Sequence, residues 1–431
     1  MEALIVAVFL IGYALIALEH RLHIDKAATA ILIGTFSWFA LFVFPLFTHG
    51  AVPPSTEGAL LHHLSETASI LFFLMGAMTI VEVVDSYDGF RFVLQLLRAR
   101  TLWAFLAILV TLTFFLSAVI DNLTTTLLMV SLLQKIVPSE ERNARLLGAS
   151  LIVIAANAGG AWSPLGDVTT TMLWIKGCIT EVNIILRTFL PSLLSVALPF
   201  FILGRQLKGT ALSLTPSPSD EENFIPRRAS LIVFLVGIGG ILAVPIQKLV
   251  FHVPPFLAML LSMGGVWLVT EIFYRRLRRQ VEDPYRLRVA SALEKIDTPS
   301  LLFFLGILLA VGALGEIGIL RWTAEALDHT LGNLDAVVFL FGLLSAVVDN
   351  VPLVAAAIEM YPLDLYPTDH RLWEFMAYAA GVGGNLLIIG SAAGVIAMGM
   401  EKIEFFWYLR RVSWIAFLGY LTGALTYILL A

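Results

Sequence analysis

The sequence predicts an all-α polytopic membrane protein made of two inverted-topology repeats, each with a re-entrant helical hairpin and a broken transmembrane helix. Three observations carry that expectation. Of 431 residues, 59% are apolar and only 14% charged, with a mean hydropathy of +0.89, far from the balance of a soluble domain. Apolar runs close to bilayer length recur along the whole chain, which leaves no room for a sizeable soluble domain. Third, Ser117-Ala-Val-Ile-Asp121-Asn122 returns as Ser345-Ala-Val-Val-Asp349-Asn350, both times inside an apolar stretch. A carboxylate at membrane depth costs about 2.5 kcal/mol or more to insert, so it is rare there without a task. Two copies of the same costly feature imply a duplicated fold with one site between its halves.

Hydropathy places helices at 2–18, 27–47, 66–85, 144–176 (broken), 184–204, 230–250, 255–274, 299–318, 372–400 (broken) and 412–430. The first run, Leu4 to Leu18, lacks a basic flank and a small-residue cleavage site, so it reads as a retained span. Segments 101–137 and 335–361 are apolar on both sides of the Asp-Asn pair and read as hairpins. The domain reading follows: 1–60, N-terminal helices; 61–210, first repeat; 211–229, cytoplasmic linker; 230–298, connecting helices and a basic loop; 299–431, second repeat. The linker holds Pro216, Ser217, Pro218, Ser219 and an acidic Asp220-Glu221-Glu222 run.

Charge placement supports the hairpins. With both re-entrant, every Lys and Arg of the 27 falls on the cytoplasmic side except Lys176, Arg187, Lys248, Arg321 and Arg371. A single crossing at the first hairpin would put the basic 91–100 and 135–145 segments on opposite sides. The Arg275–Arg288 cluster is read as a topology determinant. This count puts the N-terminus outside; the membrane is expected to be a bacterial inner membrane, with an organelle's as the alternative. Net charge, −5, says little by comparison. The lone cysteine, Cys178, excludes an internal disulfide and a thiolate metal site, and reads as a small apolar filler.

The repeat extends beyond the hexapeptide. Ser69-Ile-Leu-Phe-Phe-Leu74 matches Ser300-Leu-Leu-Phe-Phe-Leu305 upstream of each hairpin, and Gly159-Gly160 with Gly166 matches Gly383-Gly384 with Gly390 downstream. The stretch from Asn157 to Thr171 carries three glycines and Pro164 in the middle of an apolar span. Proline removes a helical hydrogen bond and glycine weakens the helix, so the backbone should unwind there. Unwound backbone at membrane depth persists only where it is buried or lines a cavity. Its carbonyls suit a hard cation, and Asn157, Ser163, Asp167, Thr169 and Thr170 add oxygen side chains. The second break, Gly381 to Ser391, contains Asn385 and Ser391 but no carboxylate, so the site should be asymmetric.

Each group also has a structural reading. Asp121, Asp349 and Asp167 suit helix N-caps. Thr124, Thr125 and Thr126 suit bonds back to the helix. Glu66 falls at a predicted helix start, where it suits the helix dipole. Glu82 and Asp85 fall near a helix end, in reach of interfacial water. His62 and His63 fall in a predicted outer loop, where they would be solvated.

Ser117 to Thr126, Asn157 to Trp174 and Gly383 to Ser391 resemble NhaD-type sodium/proton antiporters of the ion transporter superfamily. The resemblance runs from about residue 60 to the C-terminus, and Trp162-Ser-Pro-Leu-Gly-Asp167 is its most specific run. Relatives on the carboxylate-transporting branch carry Ser-Asn-Thr hairpin tips. Here the tips are Asp121-Asn122-Leu123-Thr124 and Asp349-Asn350-Val351-Pro352, which removes hydroxyls suited to an anion and adds negative charge. The resemblance implies a fold of two inverted repeats, a homodimer, and export of sodium or lithium against protons, a role in pH homeostasis. It implies functional weight for Glu66, Asp121, Asn122, Asn157, Asp167, Thr169, Thr170, Ser345, Asn350 and Ser391.

The combined expectation is a transporter, not an enzyme, with no cofactor and no nucleic-acid partner. Its cation- and proton-binding set is Asp121, Asn122, Thr124, Asn157, Asp167, Thr169, Thr170, Ser345, Asp349, Asn350 and Ser391. Sodium is expected at Asp121, Asn122, Asn157 and Asp167, with Glu66 as an accessory group. Desolvation and mutual repulsion of the carboxylates would let protons compete with sodium for one site. One rival is an arsenite or organic-anion permease on the same fold, which calls for cationic or hydroxyl-rich tips. The other is an intramembrane aspartyl protease using Asp121 and Asp167, although Leu165-Gly166-Asp167 lacks the usual Gly-x-Gly-Asp run.

Overall fold

The computed structural model describes residues 1–17, 25–90, 101–207, 225–278 and 284–430, and these residues are helical with short connections. Arg21, Arg91, Arg98, Arg100, Lys208, Arg279 and residues 211–224 of the expected linker lie outside the described residues.

Seven helices are long and apolar enough to cross a bilayer among the described residues. They are α2 (Lys26–His49), α3 (Pro54–Ser86), α8 (Glu181–Gly204), α9 (Arg227–Phe251), α10 (Pro255–Leu277), α12 (Thr298–Glu316) and α18 (Phe405–Leu430). The first helix, α1 (Glu2–Ala17), packs on α2. The rest are short: α4 (Leu102–Leu116), α5 (Asn122–Ile136), α6 (Arg142–Gly160), α7 (Val168–Ile175), α11 (Val289–Lys295), α13 (Ile319–Leu331), α14 (Leu334–Leu344), α15 (Asn350–Met360), α16 (Arg371–Gly383) and α17 (Ala392–Glu401). The chain is therefore a multi-pass membrane protein.

The two Asp-Asn segments are hairpins. A fifteen-residue helix is about 22 Å long, too short for a hydrocarbon core of about 30 Å. Both arms lie along α6. Leu106 of α4 and Leu133 of α5 flank Gly148, whereas Ser117 and Asn122 at the tip meet Ala156 and Asn157. The chain enters and leaves at one end of α6 and reverses at the other. The second hairpin, α14–α15, repeats this along α16. Asp335 pairs with Arg371 at the open end (2.7 Å), Tyr361 donates to Asp328 there (3.2 Å), and Ser345 at the tip donates to the Ala380 carbonyl (2.7 Å). Ser117 makes the matching bond to the Ala156 carbonyl at 2.6 Å.

The breaks fall where proline and glycine interrupt the apolar spans, at residues 161–167 between α6 and α7 and at 384–391 between α16 and α17. Close backbone approach explains two glycines. A Cβ on Gly159 would collide with the Phe114 carbonyl, and one on Gly383 with the Gly342 carbonyl. Each hairpin can seat against its broken helix only because these positions lack a side chain. The helices bearing the upstream motif, α3 and α12, run antiparallel. His63 early in α3 meets Glu316 at the end of α12, and Glu82 late in α3 pairs with Lys295 just before α12.

Three expectations are corrected. Helix α3 begins at Pro54, twelve residues before the predicted 66, because Pro54 serves as a first-turn proline and the polar turns after it stay helical. Glu66 is consequently mid-helix, not at a helix start. His63 is buried, at 7% exposure, and packs within 5.8 Å of the Trp38 ring. Of the two histidines expected in a loop, only His62 remains exposed. The segment between the predicted helix at 299–318 and the second hairpin, to which hydropathy assigns no element, is helix α13, bent 115° from α14.

Helix α2 packs along α12, and Gly34 and Gly306 mark their closest approach. A Cβ on Gly306 would overlap the Ala30 carbonyl. Small residues let membrane helices approach this closely. Gly306→Val is expected to cost about 1–3 kcal/mol and lower the melting temperature in detergent. Gly239→Ala, where nothing lies within 4 Å of the added carbon, should leave it unchanged.

Candidate functional site

The hairpin tips and helix breaks meet at the middle of the molecule. Asp121 is the N-cap of α5. It accepts from the Thr124 amide at 2.8 Å and from Thr124 Oγ1 at 2.7 Å, so it both caps the helix and faces a cavity. Asp167 stands at the N-cap position of α7 but makes no cap hydrogen bond. It accepts instead from Thr169 Oγ1 at 2.8 Å and, across the halves, from Asn350 Nδ2 at 3.2 Å. Asp167 is 3% exposed and has no cation among these contacts.

Asn157 ties both halves together. Fully buried, it accepts from Asn122 Nδ2 at 3.0 Å and donates to Asn385 Oδ1 and Ser391 Oγ, each at 2.8 Å. Ser391 caps α17 through the Gly394 amide at 3.1 Å, at the position in the second break that matches Asp167 in the first. Tyr408 donates to the Asn385 carbonyl at 2.9 Å, anchoring that break. In an apolar interior each bond carries more weight than in water, and an unmade one leaves a costly orphan.

The sequence-predicted residues do not all converge. Asp121, Asn122, Asp167, Asp349 and Asn350 line an inner cavity of about 80 Å³. It adjoins a wider one of about 550 Å³ lined by Thr124, Asp349 and Ser391, among others. Thr170 donates to the Asp167 carbonyl (2.8 Å), and Ser345 is buried against Ala380, so both hydroxyls serve the backbone. Thr126 Oγ1 is buried without a hydrogen-bond partner. Glu66 lies elsewhere. It pairs with Lys176 and lines a separate small cavity with His63 and Glu359.

Two residues outside the predicted binding set belong to the site's surroundings. Asn385 sits inside the second break, and its side chain is a direct partner of Asn157. Lys26, at the start of α2, brings its ammonium to 3.5 Å from Asp349 Oδ2. A lone cation opening an apolar span was a signal for Lys26, but it counted only toward topology.

The wide cavity runs from Asp349 and Ser391 to Glu82 and Lys295, so it opens at the C-terminal end of α3. At the other end, His63 Nε2 lies 3.3 Å from Glu316 and Lys176 pairs with Glu66.

A polytopic helical protein with carboxylates at one helix break and at both hairpin tips, reached through a cavity, has the form of a secondary transporter. The comparisons agree. A family model described as a citrate transporter (CitMHS) matches residues 3–383. "Sodium/proton antiporter 1" of Arabidopsis thaliana is 44% identical over 97% of this chain and 71% of the relative. "Sodium/proton antiporter 2" of the same plant is 42% identical over 97% of each. "Na(+)/H(+) antiporter NhaD" of Alkalimonas amylolytica is 31% identical over 97% of this chain and 88% of the relative. The chain belongs to this transporter family and groups with its NhaD-type members; it is a transporter and not an enzyme. That removes the aspartyl protease reading, and Asp121 and Asp167 each accept from a different threonine.

Cys178, fully buried, leaves little labelling background. Val395→Cys, in the wide cavity, should react with a membrane-impermeant maleimide from one side only and faster than Ile358→Cys, which lines the small cavity at the other end.

Proposed function

We propose that this protein exchanges cytoplasmic sodium or lithium for external protons. The relatives named as sodium/proton antiporters support the exchange itself. The observation that carries the finer reading is Asp167, a buried carboxylate held by hydroxyl and amide donors at a helix break. With Asp121 it offers two carboxylates to one inner cavity. Asn122 and Asn157 stand beside them with Thr169, while the break supplies carbonyls. Sodium takes such oxygen donors directly, and a proton on either carboxylate removes the charge that holds it. Binding is then competitive.

In this reading Thr124, Asn350 and Ser391 position the carboxylates and the breaks. Thr170 and Ser345 hold the backbone, Asp349 faces the route, and Glu66 belongs to the closed end. Basic residues cluster at the open end, where Arg145 pairs with Glu401 and Lys295 with Glu82, so the positive-inside rule makes that end cytoplasmic. The cavity then faces inward. The matching bonds of Ser117 and Ser345 and the antiparallel α3 and α12 support two inverted repeats that alternate access. A homodimer is part of the proposal. Sodium, lithium and protons are substrates, and no cofactor is required.

The family description names citrate, which gives the organic-anion reading its specific support. Against it stands the cavity: among the described residues that line it, Asp121, Asp167, Asp297 and Asp349 face one ammonium, that of Lys26. A tricarboxylate would meet net repulsion there.

Inside-out vesicles carrying a proton gradient, with a pH-sensitive dye, test the proposal. Sodium or lithium should collapse the gradient, and Asp121→Asn or Asp167→Asn should reduce the response to background. Full exchange by Asp121→Asn at every pH, or uptake of citrate or arsenite with no cation response, would contradict it.

A further inference from the structure

Lys26 stands where helix physics disfavours it. It occupies the first turn of α2, at the positive end of the helix dipole, where a cation is destabilising. Asp25, the N-cap, offsets this in part by accepting from the Ala27 amide at 2.7 Å. The Lys26 side chain turns into the protein. Its ammonium lies 3.5 Å from Asp349 Oδ2 and 4.7 Å from the centre of the Phe303 ring, and Lys26 and Asp349 both line the wide and the inner cavity. The pair is partly shielded, with side-chain exposures of 28% and 22%.

Asp349 differs from its repeat-mate in a matching way. Asp121 is satisfied by two donors from Thr124, whereas Asp349 faces Pro352 at the equivalent position and accepts from the Val351 amide at 3.2 Å. Its remaining charge is met by Lys26. Of the other charged groups lining the wide cavity, Glu82 pairs with Lys295, Asp25 accepts from the Ala27 amide, and Asp297, which lines the inner cavity as well, accepts from the Ser300 amide and hydroxyl and keeps its charge.

We propose that Lys26 is a tethered cation that neutralises Asp349, so that this carboxylate of the cavity does not take up a second sodium. This rests on the sodium/proton reading above and deepens it. With Lys26 in place, the charge of Asp349 is cancelled, and Asp121, Asp167 and Asp297 are the carboxylates left to the inner cavity. Without Lys26, Asp349 becomes a further seat for a cation or proton. Without Asp349, the ammonium remains in the cavity and repels arriving sodium.

The test compares wild type, Lys26→Met, Lys26→Arg, Asp349→Asn and the Lys26→Met/Asp349→Asn double variant in inside-out vesicles. The sodium concentration for half-maximal response is read at several pH values. Asp349→Asn should raise half-saturation roughly ten-fold, the scale of an unscreened unit charge several ångströms away. Lys26→Met should lower it and shift the pH profile, while Lys26→Arg should follow wild type. The double variant should return half-saturation most of the way to the wild-type value. A purely structural role would lower maximal rate and protein level without moving half-saturation or the pH profile. Should Lys26→Met fail to reach the membrane, the contrast between Asp349→Asn and the double variant carries the test. Additive effects in the double variant, with an active wild type, overturn this inference alone. A wild type silent to every cation overturns the exchange reading and this inference with it.

Discussion

Carboxylates and unwound backbone among membrane-spanning helices find no partner in lipid, so the protein and its cavities must supply one. Here that requirement converges on Asn157, whose amide accepts from one hairpin tip and donates to both a side chain and a hydroxyl of the opposite break. The hairpins exist to bring their tips to this point. Gly159 and Gly383 let each hairpin seat on its broken helix, and Ser117 and Ser345 fix that seating through one backbone carbonyl each. The long helices around them complete the enclosure.

The same requirement explains the asymmetry between the halves. Asp167 and Ser391 occupy matching positions at the two breaks, yet the serine caps its helix and the aspartate does not. The charge is left facing the cavity, held by Thr169 and by Asn350 from the other half. The hairpin tips diverge in parallel. Asp121 is bonded within its own helix start, while Asp349 leans on Lys26. Asp121, Asp167 and Asp349 thus stand in three different environments around the cavity.

Much of this was legible in the sequence. The hairpins, the two breaks and the repeated Asp-Asn tips follow from apolar run lengths, Pro and Gly within spans, and a repeat of improbable cost. Other parts were not. The start of α3 was hidden because the turns from Ser55 to His63 are too polar for hydropathy to mark as helix, which also misplaced Glu66 and His63. The residue types of Ser345 and Thr170 do not reveal which way their hydroxyls donate; both donate to backbone, which leaves their lone pairs as the only cation-facing chemistry. Asn385 and Lys26 were visible as residues, but their partners lie far away in sequence, at Asn157 and Asp349. Only the folded arrangement joins them.

The central claim is that sodium and protons compete for the same carboxylates. Proton release on sodium binding, measured with purified protein in weakly buffered detergent solution, tests it without vesicles or gradients. The account predicts that adding sodium releases protons near the pH at which sites are half occupied by them, and that Asp167→Asn diminishes the release. Sodium binding with no proton release at any pH would contradict it.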